Sequence, residues 1–96
     1  MYLNNLLHER REDILRLARE HGASNVRIFG SIARGEADSE SDIDLLVALE
    51  NGRSLLDLVG LWLDLEELLQ RKVDVVSEGG LKGSFGKRVL EDAVAL

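Results

Sequence analysis

Residues 42–49 read Asp-Ile-Asp-Leu-Leu-Val-Ala-Leu, an acidic opening with an apolar finish, and Asn51-Gly52 follows as a turn. A short β-prone run bounded by turn chemistry reads as a strand, and its surroundings decide the fold. Upstream, Asn25-Val26-Arg27-Ile28-Phe29 alternates polar and apolar residues and stops at Gly30, which predicts another strand with one buried face. Residues 36–41, Glu-Ala-Asp-Ser-Glu-Ser, form a polar loop between the two. Downstream, Ser54 is placed to cap a helix running to about Gln70, and Val73-Asp74-Val75-Val76 predicts a third strand. The loop Gly79-Gly80 and a last helix over about Phe85 to Ala95 complete the chain. At the other end Leu3, Leu6, Leu7, Ile14, Leu17 and Ala18 recur at helical spacing from about Leu3 to His21, with Gly22 as a stop. The order predicts a two-layer α/β (α+β) domain: a small mixed sheet of about three strands with helices packed on one side. The short connection between the first two strands favours antiparallel pairing, and the crossover helix before the third favours parallel pairing.

Ninety-six residues, 45% hydrophobic and 31% charged, make one soluble domain over residues 1–96 rather than a two-domain enzyme. A chain of this size buries roughly 60–65% of its potential surface, too little to wall in a large substrate alone. A sizeable acceptor is therefore expected on an open face or as a partner protein. Eighteen acidic against twelve basic residues, a net charge of −6, argue against direct grip on a nucleic-acid backbone. The absence of cysteine excludes disulfides, a zinc ribbon and a thiol nucleophile. The start of the chain lacks the apolar core of a signal peptide, and no stretch reaches the ~18 apolar residues of a membrane span. No membrane role and a cytoplasmic location are expected. With no proline and no low-complexity tract, nothing suggests a linker.

Asp42 and Asp44 are two apart on a strand, so their carboxylates project from one face while Ile43 and Leu45 point to the other. Adjacent like charges repel, and a bound divalent cation with hard oxygen ligands, such as Mg²⁺, would give that repulsion a purpose. Asp74 sits among Val73, Val75 and Val76, where an unpartnered carboxylate is expensive to bury. Taken singly, each aspartate reads as a solvated strand edge. At the end of the first strand, Gly30-Ser31 opens onto Ile32-Ala33-Arg34-Gly35, a possible helical turn whose amides and hydroxyl suit an anion, although the pair alone reads as a plain turn.

Together, Phe29-Gly30-Ser31, ten further residues, Asp42-Ile43-Asp44-Leu45 and a later strand aspartate, Asp74, resemble the nucleotidyltransferase signature of the DNA polymerase β superfamily. More narrowly, Gly30 to Gly35 leading to Ser41-Asp42-Ile43-Asp44-Leu45-Leu46-Val47 is similar to the minimal nucleotidyltransferases (MNT), usually paired with a HEPN-domain partner in toxin–antitoxin modules. The ending from Leu81 to Leu96 is similar to their last helix. The resemblance implies the nucleotidyltransferase fold and a Mg²⁺-dependent transferase, with ATP as substrate and two Mg²⁺ ions. It also implies an antitoxin role, in which AMP passes to a hydroxyl of the cognate HEPN toxin. Residue by residue it implies Gly30 and Ser31 as phosphate contacts, Asp42 and Asp44 as metal ligands, and Asp74 as third carboxylate and base. Arg34 divides between a nucleotide contact and a surface ion pair with Glu36 or Asp38, and Ser41 is expected to hydrogen-bond within its loop. His8 and His21 carry no expected catalytic part.

The helix from Ser54 to Gln70 holds Leu55, Leu56, Leu58, Val59, Leu61, Trp62, Leu63, Leu65, Leu68 and Leu69, more apolar surface than one core face uses. This predicts an interface for a partner or a second copy, a homo- or hetero-oligomer. Two other functions stay open from the sequence. One is a non-catalytic antitoxin that neutralises its partner by covering it. The other is a transferase acting on a small-molecule hydroxyl, whose known relatives carry an added helical region absent from these residues.

Overall fold

Apolar residues at helical spacing, then at strand spacing, give eight α-helices and β-strands among the described residues of the computed structural model, 2–38 and 40–96, and a 3₁₀ turn at Glu78–Gly80 takes the place of the expected Gly79-Gly80 loop. The side chain of Leu3 and the loop position Ser39 lie outside the described residues. The elements are α1 (Tyr2–Glu9), α2 (Arg11–Glu20), β1 (Ala23–Phe29), β2 (Ile43–Leu49), α3 (Leu55–Leu69), β3 (Val73–Ser77), α4 (Gly83–Asp92) and β4 (Val94–Ala95). The sheet order is β3-β2-β1-β4, with β1–β2 antiparallel and β2–β3 parallel. Both pairings match the sequence expectation and the connection lengths that motivated it.

The elements depart from the sequence reading in several places. The first helix breaks at Arg10, whose φ/ψ of −98°/8° leaves the α region, so that α1 and α2 turn Leu7, Ile14 and Ala18 into one core. β2 starts at Ile43 and leaves Asp42 just ahead of the ladder. The last helix ends at Asp92; Ala93 is extended, Val94 and Ala95 pair with Ile28 and Arg27, and the amide of Leu96 donates to the Val26 carbonyl at 3.1 Å. An open β1 edge would leave backbone donors and acceptors unpaired, and that demand outweighs the helical tendency of a short tail. The sheet accordingly has four strands rather than about three. Finally, α4 does not join the other helices on one side.

Strand pleating explains this two-sided packing. Ile43, Leu45, Val47, Val73 and Val75 face the main core under α1, α2 and α3, where Leu58, Leu61 and Leu65 are buried. Leu46 points to the other face, where it packs with Phe29 and with Val89 of α4. A bulge in β1 sets which residues reach that second face. Ser24 pairs with Ala48 and Arg27 with Leu46, so β1 spends one residue more than β2, and Asn25 takes up a φ of +50° there. Ala23, Val26 and Ile28 therefore all reach the main core, and Phe29 lands opposite Asp44.

α3 begins as expected. Ser54 Oγ accepts from the Leu56 amide at 3.2 Å, and Asp57 Oδ2 accepts from the Ser54 amide at 3.0 Å, which closes a capping box. Ser54→Ala is expected to lower the unfolding free energy by about 1 kcal/mol. Urea unfolding tests this: the midpoint should fall with an unchanged slope, and an unmoved midpoint would show that the cap contributes nothing. Leu58, Leu61, Leu65 and Leu69 form the buried stripe of α3, whereas Leu55, Leu56, Val59 and Leu63 are exposed, Leu56 to 81%.

Candidate functional site

The site is built where the leading end of β2 meets the end of β1. Parallel register sets Asp44 directly across from Asp74, and antiparallel register sets Phe29 across from Asp44. Paired residues on neighbouring strands share a face, so both carboxylates stand on the second face of the sheet, beside α4. Gly30 follows Phe29 with a φ of +75°, and a Cβ there would lie 2.3 Å from Asp44 Oδ2. Glycine is required at this position twice over, for the left-handed backbone and for the close approach of the carboxylate.

After Gly30 the chain makes a single helical turn. Arg34 N donates to Gly30 O at 3.1 Å, Gly35 N to Ile32 O at 3.1 Å and Glu36 N to Ser31 O at 2.9 Å. Ile32 anchors the turn in the main core at 3% exposure. Ser31 is half-buried beside Gly30. The turn expected at Ile32 to Gly35 is therefore present, directly after the glycine that packs on Asp44.

Burial is the first cause that pushes the Asp44 carboxyl up to about 6; the charges of Asp74 and then Asp42 add to it, and Arg34 opposes it. A carboxylate held in this state gains from a hard cation, and a donor set made wholly of carboxylate oxygens fits a divalent ion such as Mg²⁺. The three aspartates are brought to one end of the sheet without closing on a common point: among the described residues, no three His, Asp or Glu side chains form a ready metal cage. Asp42, ahead of the strand, has its Oδ2 4.0 Å from Lys72 Nζ. Mutual repulsion of like charges accounts for the spread.

Arg34 is ion-paired on two sides. Its Nε donates to Glu36 Oε1 at 2.9 Å and its Nη1 to Asp92 Oδ2 at 2.8 Å. The Glu36 hydrogen bond first, and the Asp92 one second, raise its pKa above the ordinary arginine value. Glu36 matches one of the two expected partners; Asp92, from α4, replaces Asp38. Asp38 pairs instead with Ser41, whose Oγ accepts from the Asp38 amide at 3.0 Å and donates to Asp38 Oδ1 at 3.3 Å, the loop role expected of it. His21 Nε2 lies 2.7 Å from Asp64 Oδ2 and ties the end of α2 to α3, away from the aspartates. His8 is exposed on α1.

An open cleft of about 490 Å³ lies over Asp44 and Asp74, with Gly30 and Arg34 at one end and Trp62, Val75 and Val76 near the β3 edge. Ser31 and Asp42 flank it rather than line it. Its far wall is α4, through Phe85, Arg88, Val89 and Asp92. Phe85, Arg88 and Asp92 belong to no motif in the sequence. Their spacing carried the signal, since positions 85, 88, 89 and 92 fall on one face of a helix.

Residues 11–96 match the nucleotidyltransferase domain family. A candidate protein adenylyltransferase of Methanocaldococcus jannaschii is 41% identical over 88 residues, covering 92% of this chain and 95% of that protein. The protein adenylyltransferase MntA of Thermococcus cleftensis is 41% identical over 78 residues, covering 81% of this chain and 79% of that protein. A solved structure of a candidate minimal nucleotidyltransferase superposes with a TM-score of 0.83 at 54% identity, covering 94% of this chain and 92% of that one. A toxin–antitoxin structure with AMP-PNP superposes at 0.74 with 22% identity, covering 88% of this chain and 69% of that one, a likeness of fold.

Proposed function

The chain belongs to the nucleotidyltransferase domain family and is a nucleotidyltransferase enzyme, and from that premise we propose that it is a protein adenylyltransferase acting as an antitoxin. It transfers AMP from Mg²⁺-bound ATP to a hydroxyl of a cognate HEPN-domain toxin and thereby neutralises it. The observation that carries this reading is the register of Asp44 against Asp74, with Gly30 packed on Asp44 at the mouth of a cleft open to a protein acceptor. The identity with the Thermococcus cleftensis enzyme supports the adenylyl donor, and the shared fold of the toxin–antitoxin structures supports the partner.

Each site residue then has a part. Gly30 and Ser31 hold the triphosphate against the turn's backbone amides. Asp42, Asp44 and Asp74 would hold the metal through carboxylate oxygens. Mg²⁺ held there would supply charge neutralisation on the phosphates and a lower pKa for the attacking hydroxyl. Asp74 also accepts the proton of that hydroxyl as it attacks the α-phosphate and pyrophosphate departs. Arg34 braces the phosphate turn to α4 through Asp92. Partner surface completes the walls that so short a chain leaves open.

The test is to incubate the chain with α-labelled ATP, Mg²⁺ and the product of the neighbouring gene, then weigh that partner intact. Mass added in adenylyl steps is expected. Asp74→Asn should cut the rate at least a hundredfold, about the scale of a lost general base. An unmodified partner held in a stable complex would sink the catalytic reading. That outcome would favour neutralisation by covering, the reading that exposed Leu55, Leu56, Val59 and Leu63 on α3 favour as a partner or self-association surface.

A further inference from the structure

The wall of the cleft formed by α4 carries two groups that the reaction as described leaves unused. Val89 is buried against Phe29 and Leu46, which fixes the face that α4 turns to the sheet. On that same face, one turn earlier, Phe85 lines the cleft while 57% exposed, so that its ring is open to whatever the cleft holds. Arg88 lines the cleft beside it and, among the described residues, makes no ion pair. Arg34, the other arginine there, commits Nε and Nη1 to Glu36 and Asp92. In a chain of net charge −6, the uncommitted guanidinium of the cleft belongs to Arg88, across from Asp44 and Asp74.

A flat apolar ring next to a free cation, over carboxylates suited to a metal, has the chemistry of one ligand class: a heteroaromatic base joined to a polyphosphate. A second copy or a peptide would satisfy the ring without the cation. We propose that Phe85 stacks on the base of the nucleoside triphosphate and that Arg88 pairs with its phosphates, so that α4 sets where the nucleotide lies. This rests on the Mg²⁺–ATP reading above. Stacking needs only a π-face, so it favours large bases over small ones with little choice between adenine and guanine. Val76 and Trp62 add apolar surface to the lining of the same cleft.

The experiment titrates the full chain with Mg²⁺–AMP-PNP and, separately, with Mg²⁺–tripolyphosphate, by calorimetry and by the fluorescence of Trp62, its single tryptophan. Phe85→Leu keeps apolar bulk and removes the π-face. It is expected to weaken AMP-PNP about tenfold, within the range of a lost base–aromatic stack, and to leave tripolyphosphate unchanged. Arg88→Gln should weaken both ligands about tenfold, the scale of one charge-assisted contact, with partial recovery in Arg88→Lys. Both side chains are exposed, and thermal melts confirm the fold of each variant. AMP-PNP binding by Phe85→Leu or Arg88→Gln within about twofold of the unaltered chain, a negligible free energy, would overturn the assignment of that residue while leaving the ATP reading intact. Equal loss of both ligands in Phe85→Leu would overturn the stacking role. Failure of the unaltered chain to bind AMP-PNP would remove the ATP reading, and this inference with it.

Discussion

Asp44→Asn is expected to remove nucleotidyl transfer and, in the same molecule, to stabilise the metal-free fold at neutral pH. The loss of activity follows from the proposed metal contact. A metal ligand facing the reacting phosphate supplies several kcal/mol in the transition state, so the rate should fall by roughly a thousandfold or more. The gain in stability follows from the carboxyl's environment. Its folded pKa is about 6 against an ordinary 3.8, chiefly through burial, then through Asp74 and Asp42. A folded pKa above the unfolded one means that the folded state binds the proton more tightly. The favourable contribution of the protonated form is therefore complete below about pH 4 and is lost as the pH rises through 6. Above that pH the charged Asp44 costs the metal-free fold on the order of 1–2 kcal/mol, after discounting for solvent screening. Asparagine keeps the shape and removes the charge. Its thermal midpoint at pH 7 should exceed that of the unaltered chain by about 5–10 °C, and the two should converge below about pH 4. Melts across pH in the presence of a chelator decide this. An Asn variant less stable than the parent at pH 7 would show that Asp44 makes a favourable contact in the fold.

That conflict between stability and activity was visible in the chain before folding was considered. Two aspartates at strand spacing, an apolar flank and a third aspartate inside a valine run are a local pattern, and β pleating alone places Asp42 and Asp44 on one face. The parallel pairing that sets Asp44 against Asp74 followed from a crossover helix, another feature of order along the chain. What sequence could not carry was geometry set by distant residues. The bulge at Ser24–Arg27 has only Asn25, a residue tolerant of positive φ, to announce it, yet it decides that Phe29 rather than Ile28 faces the site. Val94 and Ala95 read as the tail of a helix because no local signal opposed it; the unpaired edge of β1 at Arg27 and Ile28, far earlier in the chain, claims them. Arg34 likewise takes Asp92 as a partner in place of the nearby Asp38. The α4 wall was missed for a different reason. Phe85, Arg88 and Asp92 have the right helical spacing, but nothing in that spacing says which face of the sheet the helix covers.

Gly30→Ala is expected to separate the two demands placed on this glycine. A φ of +75° costs an alanine about 1–2 kcal/mol wherever it occurs. The new methyl would also stand 2.3 Å from Asp44 Oδ2 and 3.2 Å from its Cγ, so the carboxylate must rotate away. Because Asp44 borders an open cleft, it has room to move, and the fold loses little beyond the backbone strain. Function has no such room: displacing a reacting group by about 1 Å is enough to cost a hundredfold in rate. Unfolding and transfer measured for Gly30→Ala, Asp44→Ala and the double variant distinguish these effects. The stability penalty of the alanine should shrink by about 0.5–1 kcal/mol when Asp44 is truncated, the part due to the clash, while the strain persists. An unchanged penalty would mean that the carboxylate and the methyl never compete for the same space. A Gly30→Ala chain that transfers at the parent rate would refute the placement of Gly30 against a working Asp44. Loss of transfer with most of the stability retained would tie the glycine to the position of that carboxylate rather than to the integrity of the sheet.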